Sequence, residues 1–318
     1  MYFQPSDIWD VYGVKSRNEY VEKFVIKGNF HKHVPDHIIK SYETAEYLMA
    51  HAYYHWPMYD EALKKILGIY EMAIKLKCQL LGIEIEVKAN DNKTKKKDLA
   101  ILIDQLISKK GYPNELKLKL QGIRELRNML AHPSGHSFMG AMNIGAIIRT
   151  VNIINQLFLE ENWYTLQQQE FNNIIRNNVL ELKDGLFILT YNNQHILVYN
   201  PQPVTIMKVK TDLVHCWSFN RLIDDIKDLS YNKIPQPIIF FFKETKIKNG
   251  SLVAVDFNTN ERLEIIKTVK PVNLEKYQNH IKAFSSLKEK DKRVFEMMQS
   301  DNAGKLIQEF THKNCWNK

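Results

Sequence analysis

The sequence predicts an α+β protein: an all-helical bundle, then an antiparallel β-rich region, then a helical tail. Three observations carry this reading. Apolar residues recur at helical spacing from residue 36 to about 165. From 178 to about 268 the pattern shortens to strand-like runs separated by turn pairs such as Asp184-Gly185, Asn192-Asn193 and Asn249-Gly250. From about 273 helical patterning returns, with polar faces. The 318 residues allow two or three domains. They divide into an N-terminal appendage (1–35), a helical domain (36–165), a β-rich domain (166–272) and the tail (273–318).

Taken in order, Asp36 can cap a helix running to about Ala50. Asp60 can cap the next, in which Leu63, Ile66, Leu67, Tyr70, Ile74 and Leu81 share a face before Gly82 ends it. The polar stretch Asn90–Lys97 reads as a loop. Asp98 caps a helix with Leu99, Leu102, Ile103, Leu106 and Ile107 on one side, closed by Gly111-Tyr112-Pro113. Asn114 opens another, through Leu116, Leu120, Ile123, Leu126 and Leu130, which Pro133 stops. A helix over about 139–160 is apolar nearly all round, so it belongs in the middle of the bundle. The β-type runs are Val179–Leu182, Leu186–Tyr191, Ile196–Tyr199, Leu252–Phe257 and Leu263–Ile266, a meander with one interruption, read as helical, around 219–230.

Composition narrows the function. Hydrophobic residues make up 44% and charged residues 25%, which excludes disordered, collagenous and low-complexity chains. Cys78, Cys216 and Cys315 form no CxxC pair and no disulfide framework, pointing to a reducing compartment and hence the cytoplasm. Charged residues through the first 30 positions leave no room for a signal-peptide core, and the longest apolar runs, such as Ile238–Phe242, are too short to span a bilayer. Lys and Arg outnumber Asp and Glu by 44 to 36, a formal +8, which favours an acidic partner such as RNA or DNA.

The constellation with chemistry is Arg124-Glu125-Leu126-Arg127-Asn128-Met129-Leu130-Ala131-His132-Pro133. On a helical wheel with Leu116 at zero, Leu120, Ile123, Leu126 and Leu130 fall within about 80° and Arg127 near 20°, inside the apolar stripe. A charge there is costly unless paired or functional. Pro133 stops the helix, which frees His132 to turn back beside Arg127 at a helix C-terminus, where the dipole favours imidazolium. Imidazole titrates near neutral pH and can take or give a proton. A guanidinium can hold a phosphate and offset charge growing on it. RNA carries its own nucleophile, the 2′-OH, so the pair needs no metal and no cofactor.

These residues resemble the HEPN superfamily of all-helical domains (higher eukaryotes and prokaryotes nucleotide-binding): Arg127-Asn128-Met129-Leu130-Ala131-His132 is an R-N-x-x-A-H form of its R-x4–6-H motif. The likeness covers about residues 36–160, including the helix order around the motif. It implies a metal-independent endoribonuclease leaving a 2′,3′-cyclic phosphate, with Arg127 and His132 catalytic, Asn128 as the polar residue after the Arg, and two protomers sharing one cleft as a homodimer. Such domains are frequent in toxin–antitoxin, abortive-infection and phage-defence systems, where a regulatory protein or ligand is expected. The β-rich half lies outside the resemblance.

Other residues are weighed beside it. Arg124, one turn before Arg127, and His136 are candidates for the same RNA-binding cleft, against a solvated charge and a turn histidine. Lys95, Lys96 and Lys97 make a basic run that can touch an RNA backbone or simply be solvated. His31, His33 and His37, and His51 with His55, have spacings seen in metal sites, but ordinary histidines on mixed faces fit them better. Lys77, inside an apolar stripe, is explained by snorkelling. Cys216 follows His215, with no triad completed around them. For Arg127 itself the plain alternative is pairing with an acid at a helix interface, with His132 at a helix end. In that case the bundle is a nucleotide-binding dimerisation scaffold without turnover. A DNA-binding regulator is a more distant alternative, since no recognition helix is evident.

Overall fold

Two units, Met1–Tyr164 with Trp316–Lys318, and Thr165–Cys315, make up the chain. The computed structural model describes residues 3–88, 94–131, 139–175, 182, 184–222 and 236–316. The α+β class holds, with the helices mainly N-terminal and a six-stranded antiparallel barrel after them.

In the first unit α1 (Ile8–Val11), α2 (Arg17–Phe24), α3 (Asp36–His51), α4 (Met58–Leu80), α5 (Leu99–Lys110), α6 (Asn114–Ala131) and α7 (Ile144–Leu157) surround one core. α4 is the spine. It is buried on almost every turn, through Tyr59, Leu63, Ile66, Leu67, Tyr70, Ala73, Ile74 and Cys78, and it packs against α3, α5, α6 and α7. The first 35 residues are not an appendage. Trp9, Tyr20, Phe24, Phe30 and Val34 are buried in this same core. The Trp9 indole donates to the carbonyls of Ala52 and Tyr53, and the Tyr59 hydroxyl donates to the Phe24 carbonyl at 2.6 Å.

α7 is central, as its all-round apolar pattern requires. Its two buried asparagines are satisfied by segments distant in sequence. Asn155 bonds the backbone of Asn29 and His31, and Asn152 Oδ1 accepts from the Trp316 indole at 2.7 Å. Two readings change. The polar stretch after α4 is not all loop: β1 (Glu86–Lys88) pairs antiparallel with β2 (Thr94–Lys96). Asp60 does not cap α4 but lies in its first turn, buried, with its carboxylate turned to the next element. It accepts from the backbone N–H of Met139 (3.0 Å) and Gly140 (3.1 Å) and from Asn143 Nδ2 (3.0 Å), at the start of the 3-10 turn Gly140–Asn143 that leads into α7.

A helix not foreseen in the sequence, α8 (Glu161–Ile174), runs across the boundary between the units. In the second unit β3 (Leu186–Tyr191), β4 (Gln194–Val209), β5 (Asp212–Arg221), β6 (Ile238–Lys248), β7 (Ser251–Asp256) and β8 (Arg262–Lys267) follow one another around a closed barrel, β8 pairing back on β3. Two of the expected turns hold, while Asp184-Gly185 is a bend leading into β3 and joins no hairpin, since Leu182 before it is helical. Asn192-Asn193 and Asn249-Gly250 carry the left-handed φ values (51° and 59°, 54° and 68°) that two-residue hairpins need. Leu182, the described residue of the expected run Val179–Leu182, is helical; the other three residues lie outside the described ones, as does most of the interruption expected at 219–230, whose first residues belong to β5.

β4 is far longer than Ile196–Tyr199. Pro201 and Pro203 argue against a strand, but they sit where the ladder to β5 shifts register, with Asn200 at φ 51°. A proline there costs no regular hydrogen bond. The continuous run Ile238–Phe242 is covered on both faces, half-buried over Ile238–Phe240 and buried at Phe241 and Phe242. Phe240 and Phe242 join Phe187, Trp217 and Phe219 in the barrel, while Phe241 faces outward and stacks on Phe310 at 3.7 Å between ring centroids. Phe310 belongs to the tail helix α10 (Glu289–Asn314), which follows α9 (Pro271–Ser286); both tail helices fall in the second unit. Trp316, just past α10, groups with the first.

Gly140 has φ +51°, and a Cβ there would lie 1.8 Å from the Trp56 ring. Gly140→Ala is therefore expected to lower stability by about 3 kcal/mol. Urea unfolding would check this, and a loss under about 0.5 kcal/mol would sink the steric account.

Candidate functional site

α6 lies on α4 through Leu116, Leu120 and Ile123, with Leu126 and Leu130 half-buried against the same core. The Tyr70 hydroxyl of α4 donates to the Leu120 carbonyl at 2.6 Å and fixes this register. Continuing the stripe brings Arg127 opposite Glu71 of α4. Arg127 Nη2 meets Glu71 Oε2 at 2.7 Å, and Nη1 donates to Asn128 Oδ1 at 3.2 Å. Glu71 Oε1 is also held, by Lys75 Nζ at 2.5 Å. Burial raises the Glu71 carboxyl, but Lys75 and Arg127 together hold it below the usual carboxylate value. The Arg127 side chain is 36% exposed and that of Glu71 23%, so the guanidinium lies at the rim of the α4–α6 interface. The charge in the apolar stripe is paired with an acid across a helix interface, and it remains open to solvent.

His132 and His136 lie outside the described residues. The flanks of their segment are fixed. α6 is described to Ala131, the residue before His132, and on the far side Met139 and Gly140 are held by Asp60 near the start of α4. Asn128 is exposed next to Arg127. Arg124 is half-buried one turn earlier and makes no ion pair among the described residues; its Nε is shielded from solvent without a hydrogen-bond partner, as is Gln121 Oε1.

The basic run is not brought to Arg127. Lys95 and Lys96 are exposed on β2, and Lys97 Nζ donates to Gln105 Oε1 at 3.2 Å. The hairpin follows the end of α4 at Leu80, nine residues past Glu71, which is about 13 Å along the helix axis. The structure thus joins Arg127 and Asn128 with Glu71 and Lys75, leaves Arg124 alongside, and places Lys95–Lys97 at another end of the bundle.

The remaining candidates have plain accounts. His31 Nε2 lies 2.9 Å from the Asn155 carbonyl, and His51 Nδ1 3.0 Å from that of Tyr47. Among the described residues no group of three His, Cys, Asp or Glu side chains is arranged to hold a metal ion. Lys77 does not snorkel to solvent; it is buried with Nζ 5.6 Å from the centre of the Phe158 ring. Burial pushes the thiols of Cys78 up to about 11 and of Cys216 and Cys315 up to about 12, so none is a thiolate nucleophile. His215, buried in the second unit, has Nδ1 2.7 Å from Thr245 Oγ1 and Nε2 3.8 Å from Glu170 Oε1. Among the described residues no helix is long and apolar enough to cross a membrane.

Glu71 was invisible from sequence. It forms an i,i+4 pair with Lys75, which signals only a solvated helix face. That it also answers Arg127, 56 residues away, follows from the register of α4 on α6.

Compared with family models, with curated proteins and with solved structures, the chain shows no match.

Because the Arg127–Glu71 pair is partly solvent-screened, Arg127→Gln is expected to change unfolding free energy by less than about 1 kcal/mol. A loss of several kcal/mol in denaturant titration would make Arg127 a structural residue. His215 gives a pH test. Burial lowers its pKa, against a weaker upward pull from Glu170. As pH falls below about 6.5 the unfolded chain takes up this proton before the folded one, so stability falls. Unfolding measured at pH 7.5 and 5.5 should show a smaller loss in His215→Gln than in the unaltered protein; equal losses would remove His215 as a cause.

Proposed function

We propose that the protein is a metal-independent endoribonuclease of HEPN type, cleaving RNA through attack of its own 2′-OH. The observation that carries this reading is the R-N-x-x-A-H segment at the end of α6. Its first five residues, Arg127–Ala131, are the last of α6 in a helical bundle, with the Arg127 guanidinium at the open rim of the α4–α6 interface and tied to Asn128. Arg127 binds the scissile phosphate and offsets the charge that grows on its non-bridging oxygens. His132 takes the 2′-OH proton or gives one to the leaving 5′-oxygen. In a two-fold dimer two copies of His132 divide these roles. Asn128 orients the guanidinium. The products are a 2′,3′-cyclic phosphate and a 5′-hydroxyl. In this reading Arg124 and His136 line the cleft, and Lys95–Lys97 contact RNA further from the scissile bond. The barrel unit selects RNA or senses a trigger through a regulatory protein or ligand. The setting is the cytoplasm, in the service of toxicity or phage defence.

A second reading is favoured by the ion pair itself. Glu71 neutralises Arg127, as expected of a bundle that binds nucleotide or RNA and dimerises without turnover.

Cleavage of total tRNA and mRNA by purified protein in EDTA separates the two. The nuclease reading expects cyclic-phosphate ends from the unaltered protein, with activity reduced at least about a hundredfold in Arg127→Ala and in His132→Ala. Normal cleavage by both variants, or cleavage only with an added divalent metal, would overturn the site. Binding without cleavage would support the scaffold.

A further inference from the structure

Arg127 has a competitor built beside it. Glu71 Oε2 holds Nη2 at 2.7 Å, while its other oxygen holds Lys75 Nζ at 2.5 Å. The one carboxylate thus serves two cations, the arginine of α6 and a lysine one turn on along its own helix. That arrangement changes what it costs to part the pair. An acid with a single partner is left as an uncompensated, partly desolvated charge when the partner leaves. Glu71 is not: with Arg127 gone, Lys75 remains at i,i+4 spacing on a rigid helix. The guanidinium, in turn, is the more exposed member, at 36% against 23%. A phosphodiester approaching Arg127 carries the charge of Glu71, asks for the same N–H donors and is repelled by the carboxylate within a few ångströms. Phosphate and Glu71 cannot both be close partners of Arg127 at low cost.

Resting on the reading of Arg127 as a phosphate-binding group, we infer that Glu71 is an internal competitor that keeps Arg127 neutralised at rest, and that an RNA phosphodiester engages Arg127 by displacing it, Glu71 staying with Lys75. The swap breaks no covalent bond and moves no proton. It makes phosphate capture dependent on local phosphate density, so a polyanion opens the pair more readily than a single nucleotide.

The test is a binding measurement with a uniformly 2′-O-methylated RNA oligonucleotide, which has no nucleophile and reports affinity alone. Glu71→Gln keeps the shape and removes the charge. It is expected to tighten binding about fivefold, and the gain should vanish when Arg127→Ala is added. Lys75→Gln should weaken binding, and should do so less in the Glu71→Gln background. If Glu71→Gln tightens binding equally with and without Arg127, the effect is a general field and the competitor is overturned. If Arg127→Ala weakens binding but Glu71→Gln does not tighten it, the competitor is overturned and the phosphate role of Arg127 stands. If Arg127→Ala leaves binding unchanged, the site reading itself falls and the inference with it.

Discussion

α4 is a 23-residue helix with apolar or aromatic side chains facing several directions, and burying it requires neighbours on several sides. Much else in the first unit follows from that demand. α3, α5, α6 and α7 each cover part of its surface, and the N-terminal 35 residues add Trp9, Tyr20, Phe24 and Phe30 to the same core. Polar groups drawn in with them are answered locally: Asp60 by two backbone amides and Asn143, Tyr70 by the Leu120 carbonyl, and Asn152 by the Trp316 indole. Buried polar groups left without partners cost more than their bonds contribute, so these contacts select one packing among many. The position of Arg127 opposite Glu71 is a by-product of that selection.

The second unit meets a different constraint. Six antiparallel strands leave exposed edges unless the sheet closes, and pairing of β8 with β3 removes them. Closure needs bends. They are supplied by the register shifts at Tyr199–Thr205, where prolines and a left-handed asparagine interrupt the ladder, and at Phe242–Glu244. The outward face of β5 and β6 is then covered in part by Phe310 of α10, which accounts for the apolar character of Phe241 and Cys216 on a face that in an open meander would be wet.

How much was legible varies with how local the cause is. Helix bounds over 36–157 read well, because apolar spacing and Gly111 at φ +61° act within one turn; the caps read less well, since Asp36 is the first residue of α3 after Pro35 and Asp98, at the N-cap position of α5, makes no side-chain cap bond. Hairpin turns at Asn192-Asn193 and Asn249-Gly250 read well for the same reason. β4 runs well past Tyr199 because the ladder to β5 is irregular around Pro201 and Pro203, which only the partner strand shows. Asp60 was misread as a cap of its own helix, since Gly140, the amide it serves, is 80 residues away.

By itself the sequence determined the α+β order, the helical spacing that puts Arg127 within an apolar stripe, and the R-N-x-x-A-H segment at a helix end. These are properties of neighbouring residues on one element. Tertiary structure alone decided which acid answers Arg127, that Lys95–Lys97 lie at another end of the bundle, and that the meander closes. Each depends on the register of one element against another, which is fixed by the packing of whole faces and the satisfaction of buried polar groups rather than by any short run of residues.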